Sequence, residues 1–137
     1  MKWTLEVVVV PVSDVARSKA FYEDVLGFGV DHDTDLGEGR RMVQLTPPGS
    51  GCSVVISSFL SDMVPGSLKG VQLVVNDVHA ARDALVTRGF DPGPVVVVGA
   101  TGVRPATTED DLNNQGFLFF DDPDGNSWAV QQITARP

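Results

Sequence analysis

Residues 12–28 of this chain recur in outline as residues 75–90, and a chain built from two copies of one unit has few ways to fold. In the first copy Asp14 follows an apolar run and is placed to cap a helix. The inward stripe of that helix is Val15, Ser18, Phe21, Tyr22 and Val25, with Gly27 as its stop. In the second copy Asp77 takes the place of Asp14 at an offset of 63, whereas Gly89 takes that of Gly27 at 62. The second helix is thus one residue shorter. Each copy follows a strand and precedes more strands, so the repeating unit is about half the chain.

The strands can be read from residue pattern. Residues 4–12 are apolar on both faces, as in a strand buried from two sides. Residues 30–39 start a short strand that runs into a polar turn, residues 40–45 alternate as its returning partner, and residues 53–59 form a fourth strand. Residues 61–69 connect the halves. The order then repeats through a strand at 70–75, a helix at 77–88 and strands at 95–98, 116–121 and 127–133, the last two joined by the tight turn Asp122-Pro-Asp-Gly-Asn126. Matching Gly51 to Gly125 gives an offset of 74, which places about twelve extra residues between the second and third strands of the second half.

The expected fold class is α+β, with two tandem βαβββ modules, residues 1–63 and 64–137, in a single domain too small for two independent cores. A four-stranded sheet with one helix has one face covered and one open. Paired edge to edge, two such sheets form a curled mixed sheet around a cleft, a usual place for a small ligand.

Composition removes whole classes of function. At 42% hydrophobic and 20% charged residues the chain is neither disordered nor membrane-spanning, and its apolar runs at 7–12 and 95–98 are too short to cross a bilayer. The start carries no signal-peptide pattern, and the single cysteine, Cys52, suits a reducing cytoplasm. A net charge of −8, with ten Lys and Arg scattered along the chain, argues against nucleic acid. Small molecules and protein partners remain, and open sheet edges point to a twofold homodimer.

Taken together, Val12-Ser-Asp14, Phe21-Tyr22, Leu26-Gly27-Phe28, Val75-Asn-Asp77 and Asp122-Pro-Asp-Gly-Asn126 resemble the vicinal oxygen chelate superfamily, which includes glyoxalase I, extradiol dioxygenases and bleomycin resistance proteins. The resemblance implies the tandem βαβββ fold, usually as a homodimer. It also implies where a metal would sit, because enzymes of the superfamily hold a divalent ion with four His, Glu or Gln residues, one from the first and one from the last strand of each module. The matching positions here are Val7, Val55, Gly70 and Ala129, and none offers an imidazole, carboxylate or carboxamide. No metal and no other cofactor is expected. Glu6 and Gln132 neighbour two of these positions but have the opposite strand parity.

The positions of cleft parity are Val7, Val9, Ser53, Val55, Ser57, Gln72, Val74, Ala129 and Gln131. Phe117 and Phe119 share one face of their strand and Leu118 and Phe120 the other; parity leaves the cleft face open, and the resemblance makes Phe120 structural and Phe117 and Phe119 the wall. Gln72 and Gln131 are expected to project from equivalent levels of the two modules as a pair of hydrogen-bonding groups. Such a wall suits a largely apolar or aromatic organic molecule. The first reading is a metal-free protein that binds and sequesters a drug or metabolite, with no catalytic residue. The alternatives are a metal-dependent lyase, isomerase or dioxygenase with its ligands elsewhere, a metal-free catalyst using Gln72, Gln131 or Arg40, and a dimerisation or regulatory module.

Other clusters have plainer readings. Asp31, Asp33 and Asp35 lack the glycine and glutamate of a calcium loop, at Leu36 and Met42, and read as a solvated turn. Residues 109–111 read as a solvated helical turn capped by Thr107 or Thr108. Trp3, Phe59 and Trp128 suit packing, a dimer contact or a stacking surface.

Overall fold

The computed structural model describes residues 1–135. The chain divides into two compact units, one of Met1–Leu68 with Asp122–Asn126, the other of Lys69–Asp121 with the residues from Ser127 on. The turn of the last hairpin therefore belongs to the first unit.

In the first unit, strand β1 (Val7–Pro11) leads into helix α1 (Val15–Ala20), followed by β2 (Gly29–Asp35), β3 (Arg41–Thr46) and β4 (Ser53–Ser57). The sheet order is β1-β4-β3-β2, with β1 parallel to β4 and the other pairs antiparallel. Asp14 caps α1 as expected, accepting from the Arg17 N–H at 3.0 Å. Beyond Ala20 the helix widens into a π-helical turn, Phe21–Val25, in which the Leu26 N–H reaches back five residues to the Phe21 carbonyl at 3.1 Å. This turn absorbs the extra residue of the first copy, and Gly27, at φ +76°, ends it in the left-handed conformation that glycine adopts at least cost. One face of the sheet lies under this helix. Val10, Val43, Leu45 and Ile56 are fully buried there, each worth about 1.5–3 kcal/mol.

Two strands differ from expectation. β1 begins at Val7 and not at residue 4, because its parallel partner β4 begins at Ser53, whose N–H on the Glu6 carbonyl at 2.9 Å is the first bond of the ladder; Trp3 and Leu5 are exposed. β2 runs through to Asp35, where a solvated turn was expected. Its acidic residues have partners that make an extended strand tolerable: Asp33 takes Lys19 at 3.0 Å and Arg41 at 2.7 Å, and Asp35 accepts from the Gly37 N–H at 2.8 Å.

The Asp122–Asn126 turn is held by a buried polar cluster. The Asp122 carboxylate accepts four hydrogen bonds, from the Tyr22 hydroxyl and the Asn126 side-chain amide at 2.7 Å each, and from the Asp124 and Asn126 N–H groups at 2.9 Å each. The Asn126 amide also donates to the Pro11 carbonyl at 2.9 Å, and Asp124 accepts from Ser13 and Arg17. Two motifs distant in sequence, Val12-Ser-Asp14 and Asp122-Pro-Asp-Gly-Asn126, thus form one local structure.

The second unit contains β5 (Val71–Val75), α2 (Val78–Thr87), β6 (Val96–Gly99), β7 (Gly102–Pro105), β8 (Gly116–Asp121) and β9 (Ser127–Gln132), in the sheet order β5-β9-β8-β6-β7. Asp77 caps α2 through the Ala80 N–H at 3.0 Å, and no π turn interrupts this helix. The inserted segment supplies the extra edge strand β7 and a turn in which Arg104 grips Asp110 at 2.7 Å. Asp110 is thus tied to β7, while Glu109 and Asp111 stay exposed in a turn whose Glu109 N–H donates to Thr107 Oγ1 at 3.4 Å. Trp128, Phe120, Leu118 and Val130 are buried on the helix side, with Phe120 stacked on Trp128 at 6.3 Å.

Candidate functional site

Each sheet has a helix-free face, and strand register decides which side chains share it. In the first sheet β1 and β4 pair Val7 with Ser53, Val9 with Val55 and Pro11 with Ser57, so these residues stand together on the helix-free face. Met42 and Gln44 of β3 join them opposite Ser57 and Val55. Val7 is 36% exposed, whereas Ser53, Val55 and Ser57 are buried.

The two serines are already engaged. Ser57 Oγ accepts from the Phe59 and Leu60 N–H groups at 3.1 Å each, which shapes the loop after β4. Ser53 Oγ lies 2.6 Å from Thr46 Oγ1, and Thr46 donates to the Asp31 carboxylate. A carboxylate can only accept and Thr46 has one proton, so Ser53 is the donor to Thr46. Asp31 reaches Thr46 because the ladder shifts by one residue between Val30 and His32. Sequence pattern missed Thr46 and Asp31 because a bulge breaks strict alternation.

In the second sheet Gln72, Ala129 and Phe119 lie in register across β5, β9 and β8, and Val74, Gln131 and Phe117 form the next row. All six share the helix-free face. Phe117 and Phe119 stack with centroids 5.7 Å apart and planes 6° apart, and Phe119 is 47% exposed. Gln72 donates to Gln131 Oε1, and Gln131 Nε2 donates to the Asn114 carbonyl at 2.7 Å.

The expectation that Gln72 and Gln131 project from different modules is corrected here. Both belong to the second sheet, since the first and last strands of one module, β5 and β9, are parallel neighbours. Gln132 is on the helix side, where its Oε1 accepts from the Val78 N–H at 3.0 Å. Trp128 is core, while Arg40 lies over the Phe59 ring at 5.9 Å.

Val7, Val55 and Ala129 carry no donor atom toward these faces, and Gly70 has no side chain. The residues therefore do not fit a divalent metal at the superfamily's usual positions. Among the described residues no group of three or more His, Cys, Asp or Glu is placed to hold a metal ion. The carboxyls held well below the usual carboxylate range lie elsewhere: Asp33 by hydrogen bonds from Arg41 and then Lys19, and Asp110 by Arg104 and then the Thr107 N–H. A concavity of about 310 Å³ beside Arg82, Val86 and Phe90 flanks α2, on the helix side of the second sheet. Its Arg82 is spent on the Gly93 carbonyl at 2.6 Å.

Two mixed sheets of four and five strands, each backed by a single helix, define an α+β protein. The chain belongs to the Glyoxalase/Bleomycin resistance protein/Dioxygenase superfamily, whose sequence profile matches residues 4–130. Among solved structures it resembles TnmS3, an antibiotic binding protein from Streptomyces sp. CB03234, with 31% identity over 96% of this chain and 97% of that one and a TM-score of 0.72. A glyoxalase/bleomycin resistance protein from the same Streptomyces strain shows 32% identity over 94% of this chain and all of that one, with a TM-score of 0.69. A superfamily member from Sphaerobacter thermophilus DSM 20745 shows 26% identity over 96% and 98% of the two chains, with a TM-score of 0.70. No curated protein matches the sequence. Among the described residues no helix is long and apolar enough to cross a membrane.

Proposed function

We propose that this protein binds and sequesters a small, largely apolar or aromatic organic molecule, a drug or a metabolite, without a metal and as a homodimer in the cytoplasm. The observation that carries the reading is the helix-free face of the second sheet. A stacked, partly exposed phenylalanine pair stands there beside the small Ala129 and two carboxamides. An exposed aromatic pair costs solvation that a ligand would recover, about 25 cal/mol for each Å² of apolar surface covered. Likeness to an antibiotic binding protein along nearly the whole of both chains supports the same reading. So does the chemistry of Val7, Val55, Gly70 and Ala129, which offers a metal no ligand.

A thermal-shift panel of aromatic natural products, run with and without added divalent metals, tests this directly. At least one compound should raise the melting temperature in a dose-dependent way that EDTA does not abolish. One tightly bound metal ion per chain by elemental analysis, with ligand binding dependent on it, would overturn the reading.

A further inference from the structure

The two carboxamides of the second sheet are not free to choose their orientation. Asn114 sits in the left-handed backbone region, at φ +67°, with its N–H on the Gln132 carbonyl at 2.8 Å. Its own carbonyl receives Gln131 Nε2 at 2.7 Å. A backbone carbonyl can only accept, so Gln131 must turn its nitrogen to Asn114 and its oxygen toward Gln72. That oxygen takes the Gln72 nitrogen, which leaves Gln72 Oε1, on an exposed residue, without a donor among the described residues. Rotating either carboxamide by half a turn would set oxygen against oxygen or nitrogen against nitrogen, so the two orientations are coupled.

Gln72, Ala129 and Phe119 are in register on adjacent strands, which puts the carboxamide and the exposed ring two strand spacings apart, about 10 Å between Cα atoms. In this row of the sheet the residue between them is Ala129. A separation of that order is wide enough for one aromatic ring over Ala129, with Phe119 on one side and Gln72 on the other.

We propose that Gln72 Oε1 is a fixed acceptor that selects, among planar ligands, those carrying a hydroxyl or N–H at the ring edge, and that Gln131 acts through it as a positioning residue. This deepens the small-molecule reading above and rests on it.

The test titrates the whole chain with 2-naphthol and with 2-methoxynaphthalene, which share a ring system and differ in the donor. Binding is followed by NMR of the backbone and side-chain amides. The parent should bind the naphthol about five- to tenfold more tightly, the scale of one net hydrogen bond. Gln72→Leu should keep the fold and bring that ratio to about one, because the acceptor is gone, and Gln131→Leu should lower it part of the way, because Gln72 is then free to rotate. A ratio near one in the parent, or a ratio that survives in Gln72→Leu, overturns the proposal and leaves the small-molecule reading standing. If neither compound shifts any signal of the second sheet up to its solubility limit, the small-molecule reading of this face fails and the proposal fails with it.

Discussion

The Tyr22 hydroxyl donates to Asp122 Oδ2 at 2.7 Å between residues 100 positions apart, and both residues are buried. The π-helical turn carries Tyr22, and its ring packs edge-on to Phe21 at 5.3 Å and tilted against Phe28 at 5.9 Å. Removing the hydroxyl leaves the packing intact and the carboxylate one donor short. Tyr22→Phe should therefore lower stability by about 1–2 kcal/mol. Asp122→Ala, which orphans several donors at once, should cost roughly 3 kcal/mol or more. Urea denaturation of the two variants measures both, and equal costs would mean that the cluster is not organised around the carboxylate.

Gly66 provides a sharper probe of the same turn. A Cβ at this position would lie 1.9 Å from the Asp124 carbonyl oxygen, and its φ is +83°. Gly49 has the same φ but open space around it. Gly49→Ala should cost about 1 kcal/mol through backbone strain alone. Gly66→Ala should cost well beyond that, since backbone must move. Similar denaturation midpoints for the two variants would show that the turn is looser than this contact requires.

How far the sequence reveals such relationships depends on whether residue type or backbone bonding carries them. The caps Asp14 and Asp77, the stop at Gly27 and the order of strands other than β7 were legible because side-chain chemistry marks them. The one-residue difference between the repeats was visible as an offset. Its cause was not, because a switch to five-residue hydrogen bonding has no characteristic residue. Parity placed Val7, Val9, Ser53, Val55 and Ser57 on one face, and the register agrees. It could not foresee that a bulge would bring Asp31 to Thr46, or that the inserted loop would return Asn114 beside Gln131. Contacts of that kind depend on loop geometry, which alternation does not encode.

Asp33 gives a pH-dependent prediction. Its carboxyl is held below the usual range by Arg41 and Lys19, so its contribution is present above the unfolded carboxylate pKa of about 3.9. That contribution is lost as pH falls from there through the folded value. At 29% side-chain exposure solvent screens the pairs, and Asp33→Asn should cost only about 1 kcal/mol at pH 7. The gap between parent and variant should narrow as the buffer is taken from pH 7 to below pH 3. Urea melts at both pH values measure it, and a gap that widens in acid would reverse the sign assigned here.

The last prediction concerns volume at Ala129. Register sets it between Gln72 and Phe119, half-buried, with its methyl on the helix-free face of a strand whose neighbours Trp128 and Val130 point into the core. A larger side chain there extends away from the core, so Ala129→Trp should change stability by no more than about 1 kcal/mol. The indole would nevertheless fill the gap between carboxamide and ring. Binding of any aromatic compound that stabilises the parent should weaken at least about tenfold, whereas Ala129→Ser, nearly unchanged in volume, should retain it. Trp128→Ala serves as the contrasting case, since loss of a buried indole should cost about 3–5 kcal/mol and reduce binding only by unfolding the protein. If Ala129→Trp is stable and still binds with the parent's affinity, the ligand does not occupy this face, and the stacked Phe117 and Phe119 need another explanation.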